Sequence, residues 1–375
     1  MTRTELARQL WFWHSRDVEG PEHAQTFKGT TYTEADWDEL LIPEQQARWL
    51  ERADRVLTFR LTKTPAVLVG LGIGDALGAH FETLGDDVHP ELAKWKGDYR
   101  ACTRLGLPAG HTTDDSAMAE CLAASIVEHG KFDGEDVSKR YLAWAQGTPH
   151  GIGGTTRKAL DQIACGVSWR ESGISFDTPH AVGSAPAMRA APIGALCAAQ
   201  AEEGALATVR AVGTCMHDAN ITHADPEAVV SSLAVTFAVR GMLLGKSPLE
   251  TLDDVLAVIA SEYLPTLVDS ALRRIPDALA KGWPPRVFVE SYAGRRGNAW
   301  QITSTAMYCA LWATSYREGV VEAVRIGGDA DTRGAIAGAI LGARFGLEDI
   351  PEEYQKGLLD FKRLHALDLA LTRKL

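Results

Sequence analysis

The sequence predicts an all-α protein: one large helical domain over residues 61–375, preceded by a helical N-terminal extension over residues 1–60. Three observations carry this expectation. From Pro65 onward, apolar residues recur at helical spacing. Segments that alternate apolar and polar residues are scarce. Two stretches also carry glycine at every fourth position, a pattern that lets helices approach closely.

Composition bounds the function classes. The 375 residues are 46% hydrophobic, enough for a sizeable core. Lys and Arg total 38 against 49 Asp and Glu, a net charge of −11, and no basic run stands ready to neutralise a phosphate backbone. Nucleic acid is therefore not an expected partner. The opening "MTRTELARQLWFWHSRD" has an apolar patch broken by His14, Arg16 and Asp17, unlike a signal peptide, and no stretch reads as long enough to span a membrane. The expectation is a cytoplasmic protein with no membrane partner. Six cysteines (102, 121, 165, 197, 215 and 309) are scattered without a C-x-x-C pair, so buried free thiols are expected rather than a zinc site or disulfides.

The elements follow in order. Residues 1–60 hold Trp11, Trp13, Trp37 and Trp49 amid dense charge, and glycine-rich text begins only at Gly70. Thr33 and Pro43 each precede a segment with acids in its first turn, which predicts two helix starts. The tryptophans suit a recognition surface, since aromatics dominate binding hot spots, or equally a helical lid packed on the main domain. Next, "VGLGIGDALGAHFE" sets Gly70, Gly74 and Gly78 on one helix face. "RGAIAGAILGARF" does the same with Gly334, Gly338 and Gly342. Asp75, Arg333 and Arg344 exclude a membrane-spanning reading of these stripes. "DDSAMAECLAASIVEHG" places Met118, Cys121, Leu122, Ser125 and Ile126 on one face, and "EAVVSSLAVTFAVRGMLLG" continues in kind.

Chemistry concentrates at two helix starts. "HTTDDSAMAE" offers Thr112, Thr113, Asp114 and Asp115; "GGDADT" offers Asp329, Asp331 and Thr332. Capping explains either segment alone, because one oxygen and one favourable charge satisfy a helix N-terminus. Each segment, however, brings two carboxylates and a hydroxyl within four residues. Were the two to converge, four carboxylates would share a pocket, and such a cluster either holds protons or binds hard divalent cations. A rival reading takes "AVRIGGDAD" as a strand ending in the Asp-x-Asp of a metal-dependent nucleotide-sugar glycosyltransferase. That reading requires an α/β fold.

A third motif, "TPHGIGGTTRKAL", sets Gly151, Gly153 and Gly154 before Thr155 and Thr156 at a helix start, which suits a phosphate or ribose loop as well as an ordinary connection.

Taken in order, "GLGIGDALGAHFE", "HTTDDSAM", "MRAAPIGAL", "ITHADPEAV" and "GGDADTRGAIAGAILGA" resemble the motif series of the ADP-ribosylglycohydrolases, over about residues 65–350. The resemblance implies an all-helical fold that removes ADP-ribose from modified protein side chains, with arginine the favoured acceptor. It also implies two divalent cations, magnesium or manganese, at Thr113, Asp114, Asp115, Asp329, Asp331 and Thr332. Glu82 matches a glutamate that relatives place near the metal-bound water, and Glu82 or Asp115 is then the candidate base; without the resemblance, Glu82 reads as a solvated helix end. Ser184, Met188 and His223 match positions near the ligand in relatives.

Two departures stand out. Gly151 and Gly154 replace an Asp and an Asn, and Ser184 and Ala185 replace the Asn-Gly of a Gly-Asn-Gly-x-x-Met-Arg motif. The extension resembles those of immunity proteins that block secreted ADP-ribosyltransferase toxins, which makes such a toxin a candidate partner and Trp11, Trp13 and Trp37 its candidate contacts. An inactive binding module, or a structural protein like the lens crystallins that share this fold, is the non-enzymatic alternative. The intact acidic motifs argue against both.

Overall fold

The computed structural model describes residues 63–373 apart from 83–89, 175–181, 263–265 and 296, together with a few isolated positions before residue 63. Trp11, Trp13, Trp37 and Trp49, and the helix start at Thr33, lie outside the described residues. Of the segment that follows Pro43, the described positions Gln46, Ala47, Leu50, Glu51 and Ala53 are helical.

Among the described residues there is no strand, only an isolated bridge between Cys102 and Leu107. The glycosyltransferase reading fails on this point. "AVRI" is not a strand: Ala323–Arg325 end the helix Tyr316–Arg325 and Ile326 caps it. The helices that matter for the site are α1 (Val67–Glu82), α2 (Asp114–His129), α3 (Gly154–Ala164), α4 (Ala191–Ala199), α5 (Ala205–Asn220), α6 (Pro226–Leu243), α7 (Ala299–Trp312), α8 (Ala330–Phe345) and α9 (Phe361–Leu371).

The two glycine stripes face each other. A Cβ on Gly74 would stand 1.8 Å from the Gly334 carbonyl oxygen, one on Gly70 would stand 2.2 Å from that of Gly338, and one on Gly342 would stand 1.9 Å from that of Ala66. Numbers rise along α1 as they fall along α8, so the helices run antiparallel, backbone against backbone. The C-terminal end of α1, with Glu82, therefore meets the N-terminal end of α8, with Asp331. Gly78 sits between, where a Cβ would lie 2.3 Å from the Asp331 Cα.

One helix corrects the expectation that no segment is long and apolar enough to cross a membrane: α6 meets that test by length and composition, with a mean hydropathy of 1.2 over 18 residues. Its apolarity has another cause. It runs through the centre of the helical body against α4, α7 and α8, with 89% of the window buried, and a helix enclosed on all sides is apolar all round. The thiols also differ from expectation. Cys102, Cys197, Cys215 and Cys309 are buried, but Cys121 is half-buried at the edge of α2, and Cys165 is exposed because it caps the surface end of α3.

Asp368 of α9 anchors the start of α1. Fully buried, it accepts from the Leu68 and Val69 N–H groups at 2.8 and 2.9 Å, two donors that a helix N-terminus cannot satisfy itself. Burial pushes its carboxyl up to about 7 from an ordinary 3.8, overriding these bonds. The raised value means the native state binds the proton more tightly than the unfolded chain. Its contribution to stability is therefore full below pH 4 and is lost as pH rises through 7. Asp368→Asn removes this titration. Its melting temperature, followed from pH 4 to 8, should fall less than that of the parent; parallel curves would contradict the assignment.

Candidate metal centre and ligand cavity

The N-cap of α2 is Thr113 and that of α8 is Asp329, yet neither side chain makes a capping hydrogen bond. Of the acids at these two helix starts, Asp331 accepts from a first-turn N–H, that of Thr332 at 3.0 Å, and N-capping does not account for the rest. At α2 the task falls to Asp75, in the middle of α1. Its two oxygens accept from the N–H and hydroxyl of Thr113 (2.9 and 2.8 Å) and from the N–H and hydroxyl of Ser116 (3.1 and 2.6 Å). Four donors fill the acceptor capacity of a carboxylate. The Thr113 hydroxyl also lies 3.3 Å from Asp115 Oδ2, so it stands between the two carboxylates.

This arrangement draws the acids together. Asp75, Asp115 and Asp331, all buried, each place a carboxylate oxygen within 4.8 Å of the others. Burial, then the charges of the neighbouring acids, pushes Asp114, Asp115 and Asp331 well above the usual carboxylate range. Glu82 is raised by burial and by Asp329, against the pull of Arg104. It is not the solvated helix end that spacing alone suggests. Asp115 Oδ1 and Glu82 Oε2 are buried without a hydrogen-bond partner. A set of hard oxygen donors that repel one another, two of them lacking a proton donor, suits a divalent cation. The N-terminal ends of α2 and α8 point into the same place and favour negative charge there.

The acids form one wall of a cavity of about 200 Å³. Glu82, Asp114, Asp115, Asp329, Asp331 and Thr332 line it, with Thr113 buried just behind. The rest of the lining is Gly151, Gly153, Gly154 and Thr155 at the start of α3, with Ser184, Met188 and His223. The fourteen residues assigned to the site in this domain thus lie on or just behind one cavity, whereas Thr112, named with them in the acidic motif, turns away and donates to Asp360 at 3.1 Å. The departure at Gly151 has a local reason: its φ is +86°, and a Cβ there would stand 2.4 Å from Asp114 Oδ1. Gly154 has open space instead, so its lack of a side chain leaves that rim uncovered.

His223 is fixed from behind. Its Nδ1 lies 3.0 Å from the Thr222 hydroxyl, which accepts from Arg189 Nη1 at 2.9 Å, and Arg189 in turn pairs with Asp218 at 2.8 Å in a fully buried network with Tyr141. Burial, then Arg189, pushes the imidazole down to about 3, so it meets a ligand as a neutral group. Gly183 leaves room for it, since a Cβ there would lie 2.7 Å from Nε2.

Sequence reasoning missed Asp75 and Ser116 as site residues, and with them Gly183 and Gly297 on the cavity wall; Thr156, which it set beside Thr155, also lines the cavity. A signal for Asp75 existed: it is a lone acid among glycine, alanine and leucine, two helical turns before Glu82 and on its face.

A family model described as ADP-ribosylglycohydrolase matches residues 58–375. The chain is 31% identical over 304 residues to an uncharacterised protein of Archaeoglobus fulgidus, covering 80% of this chain and 92% of that one. It is 27% identical over 326 residues to the ADP-ribosylarginine hydrolase Tri1 of Serratia proteamaculans, covering 82% and 78% respectively. A solved structure titled ADP-ribosylglycohydrolase-related protein complex superposes with a TM-score of 0.62 at 28% identity, over 86% of this chain and 99% of that one.

Proposed function

The chain belongs to the ADP-ribosylglycohydrolase family, and from that premise we propose that it hydrolyses the N-glycosidic bond between ADP-ribose and arginine side chains of modified proteins. The observation that carries this reading is the convergence of six carboxylates, Asp75, Glu82, Asp114, Asp115, Asp329 and Asp331, on one end of the α1–α8 pair beside a glycine loop. Arginine is preferred because two relatives are named ADP-ribosylarginine hydrolase Tri1.

In this reading Thr113, Asp114, Asp115, Asp329, Asp331 and Thr332 hold two divalent cations, magnesium before manganese, and Asp75 keeps Thr113 and the α2 N-terminus in place. Divalent cations held by these residues would supply Lewis-acid chemistry, orienting the ribose and making water easier to deprotonate. Breaking the bond at the anomeric carbon builds positive charge, which the carboxylate wall stabilises in place of bulk water. Glu82 is assigned the role of base: it lines the cavity, is less deeply buried than Asp115 and has an oxygen that no donor occupies, whereas Asp115 lies against Thr113. The N–H groups at the start of α3 receive the diphosphate without a lysine cluster, and neutral His223, which lines the same cavity, supplies a hydrogen bond.

We extend the reading to residues 1–60 as a segment that binds an ADP-ribosyltransferase toxin, so that one chain both blocks the toxin and reverses its product. The tryptophan cluster supports it.

A panel of arginine-linked and serine-linked ADP-ribose conjugates tests both parts. The full chain should cleave the arginine conjugate, stop when the divalent cation is chelated, and resume when magnesium is restored. Trp11→Ala, Trp13→Ala and Trp37→Ala should leave that turnover unchanged and each weaken toxin binding by about 2 kcal/mol, roughly 30-fold. Cleavage of the serine conjugate alone overturns the arginine assignment. Tryptophan variants that lose turnover and melting temperature together turn the extension into a lid.

A further inference from the structure

A second cavity, of about 210 Å³, lies beside the first and shares its scaffold. Its walls are cationic and apolar: Arg286, Arg295 and Arg325 face a floor that includes Val289 and Ile326, with Glu322 the one carboxylate among the described lining residues. In a chain of net charge −11 this local excess of guanidinium is out of character. Nearby acids account for only part of it. Arg325 Nη1 donates to Glu322 and Nη2 to the Trp95 carbonyl, while Arg286 and Arg295 share a single oxygen of Glu290. The Nε–H groups of Arg295 and Arg325 are both buried without an acceptor.

A guanidinium N–H without an acceptor is costly, and the two arginines that carry such groups come from different segments to line one cavity, where a small side-chain shift would bring an acceptor within reach of both. We propose that this cavity binds an oxyanion, a phosphate or carboxylate group, through Arg295 and Arg325.

Occupancy is linked to the acidic cavity through the backbone. Arg295 lines the second cavity and Gly297 the first; Ile326 lines the second and Asp329 the first. The fully buried Arg333 ties these two segments together, donating to the carbonyls of Arg295 (2.6 Å), Gly327 (2.5 Å) and Asp329 (3.3 Å). An anion that holds Arg295 and Arg325 therefore steadies the segment that delivers Asp329. Two sources supply such a group: a free anion, or a carboxylate of the modified protein near its ADP-ribosylated side chain.

The test is calorimetric titration of the full chain with inorganic phosphate at constant ionic strength, chelator present. A saturable component from this cavity is expected, separate from any phosphate taken up at the start of α3, which the arginine variants leave unchanged. Arg295→Gln and Arg325→Gln should each weaken this component about tenfold or more, and Glu322→Gln should tighten it by removing the opposing charge. Should Arg325→Gln unfold through loss of its bond to Trp95, Arg295→Gln decides alone. Absence of saturable binding in both the parent and Glu322→Gln overturns the proposal, as does phosphate binding of undiminished strength in Arg295→Gln. This arm stands whether or not the chain hydrolyses ADP-ribose. The source of the anion rests on the hydrolase reading and is read from KM. In Arg295→Gln, a severalfold rise for a modified protein but not for a small ADP-ribosylated guanidine identifies the substrate carboxylate; equal KM shifts for the two identify a free anion.

Discussion

Asp115→Asn and Asp331→Asn should each lower turnover of an arginine-linked substrate by about 10³-fold or more at saturating concentration, the scale on which electrostatic and acid–base groups act. Stability should move the other way. Each variant removes one charge from a buried set whose members push one another's protonation upward, so repulsion in the cation-free protein falls. With chelator present, both variants should melt at or above the parent temperature. With magnesium the order reverses, because the parent gains binding energy that the variants have lost. A defective fold cannot produce this crossing, since it would lower melting under both conditions. Both variants retaining parental turnover would sink the acidic-centre mechanism.

How much of this was legible in the sequence depended on how local each signal was. The glycine stripes showed themselves because helical period alone puts Gly70, Gly74 and Gly78 on one face, and two stripes in one chain invite pairing. The acid pairs were visible for the same reason, but spacing could not separate capping from ligation. What separates them is Asp75, which caps α2 from 38 residues away and so relieves Thr113 of that task. No local pattern records such a contact. Asp368 is a stronger case, since it serves α1 from about 300 residues downstream. The hydropathy of α6 was misread in the opposite sense, because a run enclosed by other helices and one bound for lipid obey the same composition rule. The arginine cavity was invisible: Arg286, Arg295 and Arg325 belong to three separate segments.

Gly74→Ala should destabilise the protein by about 3 kcal/mol, at the upper end of the cost of overpacking, although alanine is the better helix former by about 1 kcal/mol. The reason is where the methyl goes. It would lie 1.8 Å from the Gly334 carbonyl oxygen and 2.2 Å from its carbon, both backbone atoms that no rotamer change can move aside. Relief requires separating α1 from α8 along a contact where Gly70 and Gly338 are equally tight, and Gly74→Val should leave no folded protein. Activity suffers beyond stability. The same separation draws Asp75 and Glu82 on α1 away from Asp331 on α8, so whatever Gly74→Ala protein folds should turn over far more slowly and bind magnesium weakly. Gly213→Ala provides the control, because Gly213 is helical in α5 and nothing lies within 4 Å of its absent Cβ. There the helix preference acts unopposed, and a gain of about 1 kcal/mol is expected. Thermal and denaturant melting of the two alanine variants gives the comparison. Equal stabilisation of both would mean that the α1–α8 contact is looser than its backbone spacing implies, and the acidic centre built across its end would lose its foundation.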